Sequence, residues 1–228
     1  MICGGSEASI HPLVFHSMNK LSTLCNSIDH QAASRPFDKN RKGFVIGEGS
    51  GVVVLEELSH ALERKAEIYC EIIGYSSVSK ERFINLGDGY HLTRPTDDGE
   101  GGFRSMMNAC IENNITPFQI DVVNCHATST ESGDLSEINA IKNFFGNDRY
   151  KDFDNILYDF ENFEFNLKNE NINNERLKKL KLNANKSQIG HLLAAAGSVE
   201  LIYLILSLKN VKIKFINSKE NSSNKSKS

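Results

Sequence analysis

The sequence predicts an α/β fold in which buried strands and helices alternate along the chain. Short apolar runs at residues 52–55 and 120–124 show no polar alternation, which is typical of strands buried on both faces. Apolar or amphipathic stretches of helical length, such as residues 132–145, follow them. This order indicates a layered α/β arrangement.

The elements follow from apolar periodicity and from glycine-rich or polar interruptions. In the first part of the chain we predict a helix at residues 12–24, a loop at 26–42, a strand at 52–55, a helix at 56–66 and a strand at 68–75. In the second part we predict a loop at residues 85–102, a helix at 102–113, a strand at 120–124, a helix at 132–145 and an apolar helix at 192–208.

Two stretches do not fit this pattern. Residues 147–182 carry eight asparagines with many charges, so we expect a low-complexity insertion, disordered or loosely packed, that can be excised without loss of folding. Residues 211–228 form a polar tail, and from residue 217 onward only Asn, Ser, Lys and Glu occur. We expect that tail to be disordered.

The composition of the 228 residues excludes several classes of protein. Apolar residues make up 39% and charged residues 24%, as in globular domains, and the net charge of −3 argues against a nucleic-acid partner. The longest apolar run is interrupted by Ser198 and Glu200, so we expect a buried helix and no membrane span. Five cysteines at long spacings, without CxxC, argue against disulfides and zinc and favour a reducing compartment.

The chain begins MICGGSEASI, which has neither the basic nor the apolar region of a signal peptide. This opening resembles the interior of a domain. We therefore expect that Met1 is not the biological N-terminus.

The dipeptide Cys125–His126 raises the question of a catalytic pair. Successive side chains at a strand end point to opposite faces, so the two cannot readily share a proton. We expect Cys125, like Cys3, to be a small core residue. His126 follows a predicted strand and precedes Thr128 and Thr130, so it is either a ligand-binding residue or a hydrogen-bonded structural histidine.

Two further groups of polar residues are candidates from the pattern alone. Lys186 and His191 stand five residues apart in a glycine-containing turn before the apolar helix, where a site and an ordinary surface lysine remain alternatives. Asp88, His91 and Thr93 lie in the glycine-rich loop, where solvated side chains are the favoured interpretation. No dinucleotide fingerprint, P-loop or metal-spaced cluster occurs in the sequence.

Four blocks, in the same order, resemble the β-ketoacyl-acyl-carrier-protein synthases. GGSEASIHP resembles that family's GG-A/S-E segment, and ASRPFDKNRKGFVIGEG resembles its ASRPFD-x-x-R-x-GFV-x-GEG segment. VNCHATSTESGD and NANKSQIGHLLAAAGSVE resemble its two histidine motifs. The resemblance covers residues 1–146 and 183–210.

This resemblance implies a thiolase-like fold, two similar halves in a five-layered αβαβα sandwich that is usually a homodimer. It implies that an acyl group moves from acyl carrier protein onto a cysteine. Malonyl carrier protein then loses CO2, and its carbanion attacks the acyl thioester to give a 3-oxoacyl carrier protein. No metal or other cofactor is implied, because the substrates travel on the phosphopantetheine of the carrier protein.

The family's functional residues can be carried over by motif position. His126 and His191 match the two active-site histidines, and Lys186 matches the lysine that organises the site electrostatically. Thr128 and Thr130 match the threonines that hold the phosphopantetheine arm. The acids that match motif positions behind the site are Glu137 and Glu200. Cys125 stands where the family usually has Ala.

Two family segments are not in this sequence: the T-A-C-A/S segment with the nucleophilic cysteine, and the terminal GFGG-type loop. The favoured interpretation is a fragment of a condensing enzyme, inactive alone. The alternatives are a truncated relative that binds acyl carrier protein or a full-length partner without catalysis, and a thiolase-fold relative with other chemistry. The paired histidines and Lys186 favour the first over the last.

The resemblance also divides the chain. Residues 1–56 match the end of the N-terminal half, residues 57–146 and 183–210 match the C-terminal half, and the Asn-rich stretch interrupts it. Bacterial-type fatty-acid synthesis occurs in plastids, mitochondria and the bacterial cytoplasm. The Asn/Lys-rich stretch favours a plastid, such as that of a plastid-bearing parasite.

Overall fold

The computed structural model describes residues 1–78, 94–156 and 172–210. Within these ranges the strands are β1 (Ile2–Glu7), β2 (Gly49–Val54), β3 (Val122–Asn124) and β4 (Lys181–Asn183). The helices are α1 (Pro12–Lys20), α2 (Leu58–Glu63), α3 (Glu100–Ile111), α4 (Glu131–Phe145), α5 (Asn174–Lys179), α6 (Lys186–Ile189) and α7 (Ala196–Asn210). Short 3₁₀ turns lie at His30–Ala32, Pro117–Gln119, Asp148–Lys151 and Leu193–Ala195.

Strands β1 and β2 form an antiparallel pair in which Ile2 stands opposite Val54. Helix α7 packs against one face, where Gly51 lies against the backbone of Ser198. The other face is open, and Val52 and Val54 are 57% and 72% exposed. The expectation of a strand buried on both faces was therefore wrong, because no described element covers the second face.

Strands β3 and β4 form a short parallel pair in which Asn124 stands opposite Asn183. The N–H of Cys125 also donates to the carbonyl of Asn183 at 2.8 Å and extends this pairing. The carboxyl ends of both strands therefore emerge at the same edge. The segments that follow them carry His126 and Lys186, so the pairing brings two sequence-distant motifs together.

The main core lies between α3 and α4, whose apolar faces pack together. Helix α4 presents apolar residues three and four positions apart, as expected of a helix with one buried face. The buried side chains of this core include Phe103, Met107, Cys125, Ile141, Phe144, Phe145, Tyr150, Ile156 and Leu180. Their burial, about 1.5–3 kcal/mol for each large apolar side chain, stabilises the region beneath the strand ends.

Part of this core comes from the stretch that we expected to be a loosely packed insertion. Tyr150 and Ile156 are fully buried, Leu180 is buried beside them, and residues 181–183 form β4. The prediction was wrong for residues 147–156 and 172–182, because their apolar side chains fill the core below α4. Excision of the whole stretch would remove these core residues and one strand of the β3–β4 pair.

Other predicted elements differ in length or type. Residues 68–75 form no strand, because no described segment pairs with their backbone, and their apolar side chains are largely exposed. The helix predicted at 56–66 is the shorter α2. The apolar helix predicted at 192–208 begins as a 3₁₀ turn and becomes α-helical only at Ala196.

The tail at residues 211–228 and the loop residues Asp88, His91 and Thr93 lie outside the described residues. In the part of the chain that is described, no helix combines the length and the apolar character needed to cross a membrane.

We predict that Ile156→Ala lowers the free energy of unfolding of the complete protein by about 2–5 kcal/mol, because it leaves a cavity in a fully buried site. Urea denaturation followed by circular dichroism measures this. Lys179→Ala, at an exposed position of the same stretch, is the matched control and should change little. Equal effects of the two substitutions would show that this stretch does not belong to the core.

Candidate active site

His126 lies just beyond the end of β3, in a loop with unusual backbone geometry. Ala127 and Ser129 both adopt positive φ, at 42° and 69°, which is costly for residues other than glycine. The preceding Cys125 points into the core, and burial raises the pKa of its thiol far above the ordinary value. The expectation that Cys125 is a core residue is therefore confirmed, and its protonated thiol is no nucleophile.

Glu137 on α4 holds the beginning of this loop. Its two carboxylate oxygens accept hydrogen bonds from the backbone N–H groups of His126, at 2.6 Å, and Ala127, at 2.7 Å. Burial raises the pKa of Glu137, while these two N–H donors act in the opposite direction and favour the charged form. Glu137 thus fixes the backbone that presents the His126 imidazole.

Asp134, one turn earlier on α4, holds the next part of the loop, and sequence reasoning did not single it out. Its carboxylate is buried and accepts from the N–H of Ser129 at 3.0 Å and from the N–H of Phe37 at 2.7 Å. Burial raises the pKa of Asp134, and these bonds oppose the increase. The Gly-Asp pair within the quoted histidine motif was the available signal for this residue.

His191 is positioned by the segment at residues 45–47. Its N–H donates to the carbonyl of Val45 at 2.7 Å, and its carbonyl accepts from Gly47 at 2.9 Å. The preceding Gly190 has φ +73°, and a Cβ there would stand 2.9 Å from the Val45 carbonyl oxygen. Only glycine permits this backbone conformation at this close approach.

The two imidazoles face one another at the edge of an open cavity. The ring centroids of His126 and His191 are 5.2 Å apart and nearly perpendicular, and the Phe44 ring lies 5.1 Å from His191 on another side. The Nδ1 atom of His191 accepts a hydrogen bond from the N–H of Leu193 at 3.1 Å. A neutral His191 therefore carries its proton on Nε2, which is left as a donor.

Both imidazoles are held in the neutral form. Desolvation lowers the pKa of His126 to about 4, and the charge of Lys186 acts in the same direction. Desolvation also lowers the pKa of His191 to about 4, assisted by His126 and then Lys186. His126 remains accessible from the cavity although protein atoms surround it on its other sides.

Lys186 and Glu200 form a buried ion pair, and Lys186 is close enough to act electrostatically on both histidines. Lys186 is 1% exposed, and its Nζ lies 2.5 Å from Oε1 of Glu200. The other oxygen of Glu200 accepts from Asn124 Nδ2 at 3.3 Å, and Asn124 Oδ1 accepts from Asn183 Nδ2 at 2.9 Å. Sequence reasoning missed the two asparagines, although both belong to the quoted motifs.

Thr128 and Thr130 line the same cavity as the histidines. Their hydroxyl oxygens are 2.9 Å apart and share a hydrogen bond. The cavity has a volume of about 1770 Å³, and its lining also includes Arg35, Phe44 and Glu137. Five of the seven predicted site residues therefore line this cavity, and the other two, Lys186 and Glu200, form a buried ion pair outside its lining.

This arrangement can stabilise negative charge that develops on a ligand. A neutral His191 offers an Nε2–H, the threonine pair offers hydroxyls, and the Lys186 ammonium lies nearby in a buried position. Among the described residues, no three His, Cys, Asp or Glu side chains are grouped so that they could hold a metal ion. The described groups are therefore suited to bind an oxyanion or an enolate.

Comparison with known protein families assigns both parts of the chain. The sequence profile described as "Beta-ketoacyl synthase, C-terminal domain" matches residues 76–156 and 162–217, and the corresponding "N-terminal domain" profile matches residues 1–61. The first match includes residues 147–156 and 162–182, which lie outside the four motif blocks.

Curated relatives agree with these profiles. The chain is 38% identical over 213 residues to a "3-oxoacyl-[acyl-carrier-protein] synthase 2" of Staphylococcus aureus. This alignment covers 93% of this chain and 44% of the relative. It is 39% identical over 209 residues to the protein of the same name from Vibrio harveyi, and that alignment covers 91% of this chain and 42% of the relative. The chain thus spans less than half the length of the curated relatives it matches.

Solved structures give the same fold. A ketosynthase in complex with its type II PKS acyl-carrier protein matches with a TM-score of 0.72 and 33% identity, over 92% of this chain and 43% of that chain. A β-ketoacyl synthase from Burkholderia phymatum matches with a TM-score of 0.69 and 29% identity, over 92% of this chain and 41% of that chain. The prediction of an incomplete thiolase-like α/β fold is confirmed.

We predict that His126 and His191 stay neutral well below pH 6.5 in the folded protein. Because their pKa is lower in the folded state than in the unfolded state, the unfolded state binds more protons between pH 6.5 and pH 4. Their contribution to stability is complete above pH 6.5 and is lost as the pH falls towards 4.

NMR of ¹⁵N-histidine-labelled protein measures this directly, with the urea-unfolded protein as the reference. We expect His191 to show a protonated Nε2 and a bare Nδ1 from pH 8 to pH 5.5. A midpoint near 6.5 for either histidine in the folded protein would contradict the account.

We predict that Glu200→Ala lowers the free energy of unfolding by about 3–5 kcal/mol, because it leaves Lys186 charged and buried without its partner. Urea denaturation measures the change. Glu175→Ala, which removes the exposed partner of Lys178, is the matched control and should have no detectable effect. Similar stabilities of the two variants would show that the buried pair is not strongly coupled to the fold.

Proposed function

Because the chain belongs to the β-ketoacyl synthase family, we propose that the complete protein is a 3-oxoacyl-acyl-carrier-protein synthase of fatty acid synthesis. Its substrates would be an acyl group and a malonyl group, each carried on the phosphopantetheine of acyl carrier protein. Two curated relatives with 38% and 39% identity bear the name of this activity. The described residues would supply the part of the site that acts on the malonyl group.

The reaction would proceed in three steps. An acyl group moves from the carrier thiol to a cysteine of the protein, outside the residues of this chain. The bond between the malonyl carboxylate and Cα then breaks, CO2 leaves, and the electron pair forms an enolate with its charge on the thioester oxygen. The enolate carbon attacks the acyl thioester and expels the cysteine thiolate, giving the 3-oxoacyl carrier protein.

One observation carries this proposal: the facing pair of neutral imidazoles above a buried ammonium. Decarboxylation is limited by the charge that develops on the thioester oxygen, and hydrogen-bond donors aimed at that oxygen lower the barrier. The Nε2–H of His191 is such a donor, because Leu193 already occupies Nδ1. The charge of Lys186 lies close enough to lower the pKa of both histidines and also favours a developing anion.

The exposed apolar surface supports the view that this chain works as part of a longer protein. Val52 and Val54 lie on a sheet face that no described element covers, and residues 68–75 expose several more large apolar side chains. Exposed apolar patches of this kind mark surfaces that another part of the protein or a partner covers. Strands and helices of the remaining half would cover them.

We also propose acyl carrier protein as the partner and a homodimer as the assembly. A ketosynthase that shares this fold has been solved in complex with its acyl carrier protein. The Asn/Lys-rich composition of residues 147–182 supports a plastid location, with the bacterial cytoplasm or a mitochondrion as alternatives. Size-exclusion chromatography and tagging of the complete protein test these points separately.

We predict that His191→Ala in the complete protein reduces malonyl carrier protein decarboxylation by about 10²–10³-fold, because it removes a donor to the enolate oxygen. Release of labelled CO2 measures the rate, and thermal unfolding verifies that the variant folds. His60→Ala, which changes an exposed histidine on α2, is the matched control. A wild-type decarboxylation rate in His191→Ala would rule out this role.

A further inference from the structure

The loop that carries Thr128 and Thr130 depends on contacts from outside itself. Ala127 and Ser129, which flank Thr128, both have positive φ without being glycine. Each such conformation costs on the order of 1–3 kcal/mol and persists only where surrounding structure holds it. Glu137 and Asp134 hold the N–H groups on this loop, at residues 126, 127 and 129.

Arg41 holds the carbonyl groups at the far end of the same loop. Its Nε–H donates to the carbonyl of Thr130 at 3.0 Å, and its Nη2 donates to the carbonyl of Glu131 at 2.5 Å. Its Nη1 donates to the carbonyl of Asp38 at 3.0 Å within its own segment. All three guanidinium nitrogens are therefore used, in the forked geometry that arginine alone provides.

The dipole of α4 does not favour a cation at the position of Arg41. Thr130 is the N-cap of this helix, and the positive end of a helix dipole disfavours a cation by about 0.3–1 kcal/mol. The buried carboxylate of Asp134, 3.4 Å from Arg41 Nε, offsets that penalty. The presence of an arginine at this position is therefore better explained by its hydrogen bonds to the loop.

The bonds of Arg41 to the carbonyls of Thr130 and Glu131 lie next to the two threonine hydroxyls. Thr130 Oγ1 lies 2.9 Å from Thr128 Oγ1 and fits closely against Gly133, where a Cβ would come within 2.4 Å of it. Because one hydroxyl donates to the other, the pair presents one remaining O–H donor together with free acceptor positions. This set matches one amide group, which has one carbonyl and one N–H.

We propose that Arg41 is a positioning residue that orients the Thr128–Thr130 pair to bind one amide of the phosphopantetheine arm. This inference rests on the proposed function, which supplies the arm as the ligand. Arg41 makes no described contact with His126, His191 or Lys186, which are held by other groups. Its loss should therefore weaken binding of the carrier-borne substrate and leave the decarboxylation step largely intact.

The first experiment compares decarboxylation of malonyl carrier protein by complete wild-type protein, Arg41→Ala and Arg41→Lys. We expect Arg41→Ala to raise KM about tenfold with kcat within about twofold, and Arg41→Lys to lie between it and wild type. Arg64→Ala removes an exposed arginine that also pairs with a carboxylate, and it should leave both constants unchanged. A fall in kcat at unchanged KM, or no change, would overturn the inference.

A double-mutant cycle tests whether Arg41 acts through the threonines. In a Thr130→Val background, Arg41→Ala should raise KM little further, because the group that it positions is already lost. Fully additive effects would overturn the inference. If Arg41→Ala does not fold, Arg41→Lys takes its place in the cycle.

The two proposals can fail separately. A wild-type protein without decarboxylation or condensation activity would overturn the proposed function. The positioning role is still tested by ¹³C-methyl NMR of threonine, where Arg41→Lys should shift the signals of Thr128 and Thr130 and leave that of Thr23 in place. Unshifted Thr128 and Thr130 signals would overturn the positioning role whatever the activity.

Discussion

The buried ion pair of Lys186 and Glu200 is the interaction on which the rest of the site depends. Two charges removed from water are tolerated only if they meet each other and if their remaining polar atoms are hydrogen-bonded. One carboxylate oxygen of Glu200 contacts Lys186, and the other accepts a hydrogen bond from the amide of Asn124, which Asn183 orients. Because the two asparagines are paired residues of β3 and β4, the ion pair and the strand pairing support one another.

The same cation also acts on the histidines. Desolvation is the main reason that both imidazoles remain neutral where an isolated histidine would begin to protonate, and the charge of Lys186 acts in the same direction. A neutral His191, whose proton is on Nε2, can donate that N–H to a developing enolate. The segment at residues 43–47 keeps the two loops in place, since Gly43 binds the Ser129 carbonyl and Val45 and Gly47 bind the backbone of His191.

The sequence motifs predicted the fold family and singled out residues that line one cavity, whereas apolar patterning predicted the individual elements less well. His126, Lys186 and His191 could be found because their motifs are contiguous and specific. Asp134 was missed because its role is to accept backbone N–H groups from residues far away in sequence, which no pattern reveals. Residues 147–156 and 172–182 were misjudged because composition does not show that a few apolar side chains, such as Ile156, reach a core built by other elements. The prediction of a strand at 68–75 was wrong because no described strand pairs with that segment, and the sequence of a segment does not show whether a partner strand lies beside it.

The pH dependence of malonyl decarboxylation by the complete protein would show whether the two histidines are neutral in the working site, since neutral histidines should act unchanged through mildly acidic pH. We expect a kcat that is constant between pH 7.5 and pH 5.5, because both imidazoles have a pKa of about 4. An acid limb centred near pH 6.5 that disappears in His191→Gln would show that an imidazole titrates normally, and it would contradict the account.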